Sequence, residues 1–505
     1  MPQPIRIHPQ NPKLFEFRGK PLVLVTASEH YGAVMNRPFR FERYLEDAAE
    51  KGMSLTRLFM LFRELQTAVN PYSTCKPESP DYVAPFVRTG PGRALDQEPR
   101  YDLDQPNPEF FDRLHRFLSL ASDYGIIVEI VLFSNTYWDA VWALNPLNAS
   151  NNINGLEPIL PQHYMSRRSE KLWERQVAHA RKIVEETNRY DNVIYEICNE
   201  PIDIHGGDNP DAAEINNWLK ALIQVVRETE ASLPNQHLIV GQEAWRLRDM
   251  IDFQQYSDLS FHDFDYDVVN MHPLPGTIYG GRRYELGHFM SKQLRLRELR
   301  DYGLATYAEP KPLNQDEDNI ASQYKDYVGW TIHRKRAWTT VLTGGHYDYI
   351  DFSILPYLET GTEESNRYLR SWFGYLSAFI HSLDLVNARP LPGIVTAQPP
   401  HTLGVPFGVE GSDVVIYLAD ERELPQAALL PQDVPIIPGA GAPIHGDLVV
   451  DLPDGDYRVV VFDPKTGLYS PAIAVRGGLG TRILLPEFVH DIAVRITRAA
   501  ETSLR

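Results

Sequence analysis

Residues 193–201 read VIYEICNEP. Val193–Cys198 is an apolar run of strand length, interrupted by one carboxylate. Asn199 and Glu200 form a polar tip, and Pro201 cannot carry a ladder hydrogen bond onward. A long amphipathic stretch precedes the run, Glu170–Asn188, and another follows it, Ala212–Ser232. The same unit recurs in both directions. Earlier strand candidates are Leu22–Ala27, Leu55–Phe62 and Ile126–Phe133; later ones are Leu238–Gly241, Val268–Met271, Leu304–Ala308 and Val341–Gly345. Helix candidates Phe41–Gly52, Phe110–Gly125, Phe289–Gly303 and Asn319–Trp338 lie between them, three of them closed by the glycine that often stops a helix. Nearly continuous apolar strands alternating with helices indicate a parallel sheet covered by helices. Eight such units predict an α/β fold, a (β/α)8 TIM barrel over residues 1–384, with Met1–Lys20 as a strand pair across its bottom. No G-x-G-x-x-G follows the first strand to favour an open doubly wound sheet.

Beyond Asp384 the texture changes. Asn387–Pro406 (NARPLPGIVTAQPPHTLGVP) is proline-rich and poor in helix formers. Short alternating runs follow at Asp413–Ala419, Asp447–Leu452, Tyr457–Asp463, Arg482–Leu485 and Asp491–Ile496, separated by turn signals such as Pro453-Asp454-Gly455. Residues 385–505 are therefore expected to form a small antiparallel β-sandwich, an accessory unit that braces the barrel.

Composition narrows the function. In 505 residues, 49 Lys and Arg against 67 Asp and Glu give a formal charge of −18. That argues against nucleic acid or an anionic membrane as the main partner. Two cysteines, Cys75 and Cys198, exclude a disulfide framework, and zinc spacings are absent. The first residues lack an apolar signal-peptide core, and no run approaches the length of a membrane span, so a cytoplasmic protein is expected. A homo-oligomer is compatible with the sequence, and no cofactor is called for.

In a TIM barrel the site lies at the C-terminal ends of the strands. The fourth run ends at Glu200 and the seventh at Glu309, which places two carboxylates on one rim. Hydrolysis of an acetal needs such a pair: one protonated, to give its proton to the leaving oxygen, and one ionised, to attack the anomeric carbon. Glu29, His30 and Tyr31 after strand one, Tyr137 and Trp138 after strand three, and His346, Tyr347 and Asp348 after strand eight are further rim candidates. Their aromatic faces suit sugar C–H surfaces and their polar groups suit hydroxyls. Glu129 and Glu196 lie inside strands and read as buried structural partners. Cys198 reads as a small buried residue.

VIYEICNEP closely resembles the fourth-strand signature of clan A glycoside hydrolases, the group that includes the cellulase-like family 5 enzymes. The resemblance runs from about Phe15 to Asp384; LVLVTASEHYGAV, LTRLFMLFRE, NPLNASNNINGL and GGHYDYIDFS look like poorly characterised, cellulase-like members. It implies Glu200 as general acid/base and Asn199 as the contact to the sugar 2-hydroxyl. It likewise implies Glu309 as nucleophile, Arg57 as the arginine supporting that nucleophile, and His272 as the strand-six histidine of the site. The nucleophile of the family often sits in a Glu-x-Gly context, and Glu309-Pro310-Lys311 departs from it; Lys311 so close is expected to keep a carboxylate ionised. The expected activity is that of a retaining glycosidase that cleaves O-glycosidic bonds of an oligosaccharide or glycoside by double displacement, with carboxyl groups about 5–5.5 Å apart. The alternatives are a non-catalytic carbohydrate-binding protein on the same barrel, and a metal-dependent hydrolase using His30, His272 and His346.

Overall fold

The computed structural model describes residues 3–29, 32–61, 81–136, 139–203, 210–247, 253–287, 293–318, 327–423 and 439–499. Eight parallel strands form its centre: β1 (Val25–Ser28), β2 (Leu55–Phe59), β3 (Ile127–Ser134), β4 (Val193–Asn199), β5 (Ile239–Gly241), β6 (Val268–Met271), β7 (Leu313–Gln315) and β8 (His346–Ile350). From β2 to β8 each strand pairs with its neighbours in sequence, and β8 returns to β1 with Tyr347 opposite Val25. The seam between β1 and β2 is drawn together by Ser54 N donating to Val25 O at 3.2 Å and Thr26 Oγ1 donating to Leu55 O at 2.6 Å. This is the nearly closed barrel that the alternation of runs predicts.

One helix follows each strand: α1 (Phe41–Glu50), α2 (Pro108–Tyr124), α3 (Glu170–Thr187), α4 (Ala212–Glu230), α5 (Asp258–His262), α6 (Leu296–Thr306), α7 (Tyr327–Val341) and α8 (Ser371–Ile380). Local chemistry sets their ends. Asn107, Ser169 and Asp211 accept first-turn N–H groups through their side chains, and Gly125 closes α2 at φ 74°, where a side chain is disfavoured. An antiparallel sheet of Arg6–Ile7, Phe15–Phe17 and Lys20–Leu22 seals the bottom of the barrel. Ile5, Phe15 and Phe17 pack there against Leu55, Ile127, Ile194, Val240 and Val268, at the starts of β2 to β6.

Two of the expected strands are displaced. Leu304–Ala308 is not the seventh strand: Leu296, Leu299, Tyr302, Gly303 and Thr306 are buried at helical spacing, and the chain is helix α6 through Thr306. Gly303 is required there, because a Cβ would stand 2.4 Å from Thr343 Oγ1. Val341–Gly345 is likewise the end of α7 and a turn, and β8 begins at His346.

After α8 the chain is antiparallel. A seven-stranded sheet, whose central strands are Thr402–Val409, Asp413–Asp420, Asp491–Arg498 and Gly455–Asp463, faces a three-stranded sheet of Val395–Ala397, Asp447–Val450 and Thr481–Leu484. Ile416, Leu418, Leu448, Val450, Ile483 and Val494 fill the space between them, as the β-sandwich reading requires. The outer face of the larger sheet lies on α7 and α8. Trp338 stacks on Tyr417 at 5.2 Å, and the buried Arg334 pairs with Asp491 at 2.5 Å.

Candidate active site

The top of the barrel is built from strand tips that carry charge. Glu200, one residue past β4, and Glu317, two past β7, face each other across His272, one past β6. An oxygen of each carboxylate and a nitrogen of the imidazole lie within 4.8 Å of one another. His272 Nδ1 is 3.2 Å from Glu200 Oε1 and 3.9 Å from Glu317 Oε2. The side chain of Glu200 keeps 22% of its surface exposed, against 6% for Glu317 and 4% for His272, so solvent and ligand reach the pair from the Glu200 side. Both glutamates hold left-handed backbone, φ 48° for Glu200 and φ 50° for Glu317. Such conformations cost on the order of 1–3 kcal/mol and gather at functional sites. Asn135, past the tip of β3, braces the turn at Glu200 by donating to Glu200 O at 3.0 Å and Ile202 O at 3.3 Å.

The seventh-strand carboxylate is therefore Glu317, not Glu309. Glu309 sits in the turn between α6 and β7, before the strand rather than after it. Tyr279 OH donates to it, and His262 Nε2 lies 3.3 Å away. Lys311 does not serve a nucleophile either: its ammonium donates to Ser260 O at 2.9 Å and Phe264 O at 2.8 Å.

Residues 26–338 match the family model described as Cellulase (glycosyl hydrolase family 5). The chain belongs to glycosyl hydrolase family 5. It is 26% identical over 193 residues to an endoglucanase of Clostridium saccharobutylicum, a match that covers 37% of this chain and 40% of that protein. Its fold is shared with a glycoside hydrolase family 5 protein from Bacteroides vulgatus, with a TM-score of 0.61 at 10% identity over 99% of this chain and 94% of the other. A second glycoside hydrolase described as putative, from the same organism, gives 0.62 at 11% identity over 98% and 82%.

Below the two glutamates this family 5 barrel is filled with charge. The guanidinium of Arg57, at the centre of β2, donates to Glu317 and to Glu196, lies 3.3 Å from Glu129 and 3.2 Å from Asp316, and donates to Asn199 Oδ1 at 3.3 Å. Burial works against the Asp316 carboxylate, but Arg57 and His272 outweigh it and hold the group down to about 2. Glu129 is the opposite case: burial, then Asp316 and Glu196, push it well above the carboxylate range. Asp348 is pushed well up by burial and by Asp316. Burial disfavours charge on His272, yet Glu317, Asp316 and Glu200 raise it well above an ordinary histidine and keep it an imidazolium.

The remaining expected residues divide. Arg57, Asn199 and His272 meet at the two glutamates. Asn199 is fully buried, with its amide nitrogen donating to Ser134 Oγ at 3.2 Å. Glu29 is buried as a loop anchor and accepts Gly32 N and Ala33 N, both at 2.9 Å. Tyr347 is no sugar platform: its side chain points outward from β8, under the helices, where its ring lies edge-on to Phe373 and its hydroxyl donates to Asp318 at 2.7 Å. His346 belongs to the bottom of the barrel, between Leu24 N and Lys13 O, so it cannot join His272 as a metal ligand. His30, Tyr31, Tyr137 and Trp138 lie outside the described residues. Sequence reasoning missed Glu317, Asp316 and Asn135. The helical spacing from Leu296 to Thr306 is the signal that moves the seventh strand onward to Asp316-Glu317.

Among the described residues no helix is long and apolar enough to cross a membrane.

Proposed function

We propose that this protein is a retaining glycosidase acting on a carbohydrate, with Glu317 as nucleophile and Glu200 as general acid/base. The observation that carries the reading is the approach of the Glu200 and Glu317 carboxylates to within 4.8 Å. That gap is of the order of the roughly 5 Å used for direct attack, too narrow for the water that an inverting enzyme places between carboxylates about 6.5–9.5 Å apart. Glu317 forms a bond to the anomeric carbon as the glycosidic C–O bond breaks, and the leaving oxygen takes the proton of Glu200. Glu200 then takes a proton from water, the water oxygen bonds the anomeric carbon, and the Glu317 ester is released. Arg57, which donates to Glu317, fits the part of holding it aimed. A non-catalytic sugar-binding role is disfavoured because both carboxylates converge on one gap with their backbones strained.

The first polymer to try is a glucan, since the Clostridium relative is named an endoglucanase. A screen of aryl glycosides and glucans finds the substrate. On it, Glu317→Ala should lower kcat by on the order of 10³-fold or more. Azide should then restore turnover and yield a glycosyl azide of inverted configuration. An unimpaired Glu317→Ala variant overturns the assignment.

A further inference from the structure

The C-terminal sandwich is joined to the candidate nucleophile by a continuous line of buried polar contacts. The line starts at Glu423, three residues past the strand Asp413–Asp420. Its carboxylate accepts Leu294 N at 2.7 Å and Arg295 N at 3.4 Å, which fixes the end of the segment running from β6 to α6. Arg295 holds φ 47°, so this junction is itself a strained turn. The carbonyl of the same Leu294 accepts Arg336 Nη1 at 3.0 Å, and Leu286 O accepts it at 2.6 Å. The other side of that guanidinium, Nε, donates to Asp318 Oδ2 at 2.6 Å, and Tyr347 OH donates to the same oxygen at 2.7 Å. Asp318 follows Glu317 directly, and its own N–H donates to Asp348 O at 3.0 Å. Glu423, Leu294, Arg336 and Asp318 are all buried.

The helix that supplies Arg336 is anchored to the sandwich by the two residues before it. Arg334 pairs with Asp491, and Lys335 Nζ donates to Asp420 O at 2.9 Å. Helix α7 thus carries three consecutive buried cations, two directed at the sandwich and one at the tip of β7. Burying three cations is costly unless each finds a partner in fixed geometry. The partners here join the sandwich, the β6–α6 segment and the residue next to Glu317.

We propose that the sandwich positions the nucleophile: Glu423 acts through Leu294, Arg336 and Asp318 to set the orientation of Glu317. This rests on Glu317 being the nucleophile. Glu423, Arg336 and Asp318 are positioning residues in this scheme and touch no substrate.

The test uses the full chain and a dinitrophenyl glycoside that the wild type accepts, and follows kcat/KM, because a leaving group that good needs no proton and kcat/KM then reports attack by Glu317. Glu423→Ala and Asp318→Asn, assayed well below their melting midpoints, should lower kcat/KM on this substrate roughly 10- to 100-fold, as expected for a misplaced reacting group. The affinity for an uncleaved sugar inhibitor should stay within about twofold, and Glu423→Gln, which keeps one acceptor, should recover part of the loss. If Glu423→Ala fails to fold, Glu423→Gln and Asp318→Asn carry the same comparison. Wild-type kcat/KM in folded Asp318→Asn and Glu423→Gln overturns the proposal. Failure of the parent reading looks different: there Glu317→Ala itself remains active.

Discussion

Arg57→Met tests the electrostatics of the barrel most directly. The guanidinium is buried among Glu129, Glu196, Asp316 and Glu317. Methionine fills similar volume without charge. At an effective dielectric of about 20, charges about 4 Å apart interact by roughly 4 kcal/mol, and stranding a buried ion by removing its partner costs about 3–5 kcal/mol. The expected loss at neutral pH is therefore about 3–5 kcal/mol, read by urea or thermal unfolding. The pH dependence has a definite sign. In the wild type Asp316 is depressed, so it stabilises the fold above 3.8 and loses that contribution as the pH falls toward about 2. Without Arg57 only burial and its remaining neighbours act on it. Burial favours the protonated form, so the variant should recover stability on acidification, and its deficit should be smaller at pH about 5 than at pH about 7.5. An Arg57→Met protein with wild-type stability at neutral pH, or one whose deficit is as large at pH about 5 as at pH about 7.5, would refute the reasoning.

Two other perturbations separate neighbouring acids from the site. Glu309→Ala should leave kcat/KM within about twofold of wild type, with a small loss of stability from the Tyr279 and His262 contacts, because Glu309 precedes β7 on the far side from the rim. A loss of several orders of magnitude would restore it as a catalytic candidate. Glu243 accepts Ser260 N at 2.8 Å in a site that raises its carboxyl to about 7, through burial that the Ser260 contact only partly offsets. Its folded-state value lies above the unfolded one, so its contribution is intact below about 4.5 and is lost as the pH rises through about 7. Glu243→Gln should therefore flatten the decline of melting temperature over that window; an unchanged slope places the titration elsewhere.

The sequence was most readable where strands are apolar, and least where the barrel stores its charge. Six of the eight strands lie on the runs from which they were expected, since Leu22–Ala27 or Ile126–Phe133 signals burial on both faces. β7 fails that criterion. After Leu313 its residues and the two that follow are polar: Asn314 donates to Asn270 inside the barrel at 2.7 Å, Gln315 turns outward and accepts from Thr340 of α7 at 2.9 Å, and Asp316 and Glu317 meet Arg57. A strand whose inward side chains are satisfied by other polar groups looks like a loop in the sequence. The apolar end of α6 supplied a false strand in its place, and with it the expectation that Glu309 stands at a strand tip. β8 hid similarly, because His346-Tyr347-Asp348 alternates bottom anchor, outward-packed ring and interior acid. The fourth strand was legible to its tip because its polar residues come after the apolar run, which put Asn199 and Glu200 at the strand end where the structure has them.

That hidden polarity bears on how two glutamates a few ångströms apart take different parts. The interior below them holds Glu129, Glu196, Asp316 and Asp348 with Arg57 and the imidazolium of His272. Were all four acids ionised, the field of Arg57 would be shared among them and little would reach the rim. Burial and the neighbouring acids instead push Glu129 and Asp348 well up, which favours their neutral forms. Fewer anions then compete for the guanidinium that donates to Glu317. Glu200 stands in a different environment: it is the more exposed of the two and lies against the imidazolium of His272. A buried carboxylate held by Arg57 suits the nucleophile proposed above, and the more accessible one suits the proposed acid/base. On that proposal the asymmetry between the two roles originates in the barrel interior.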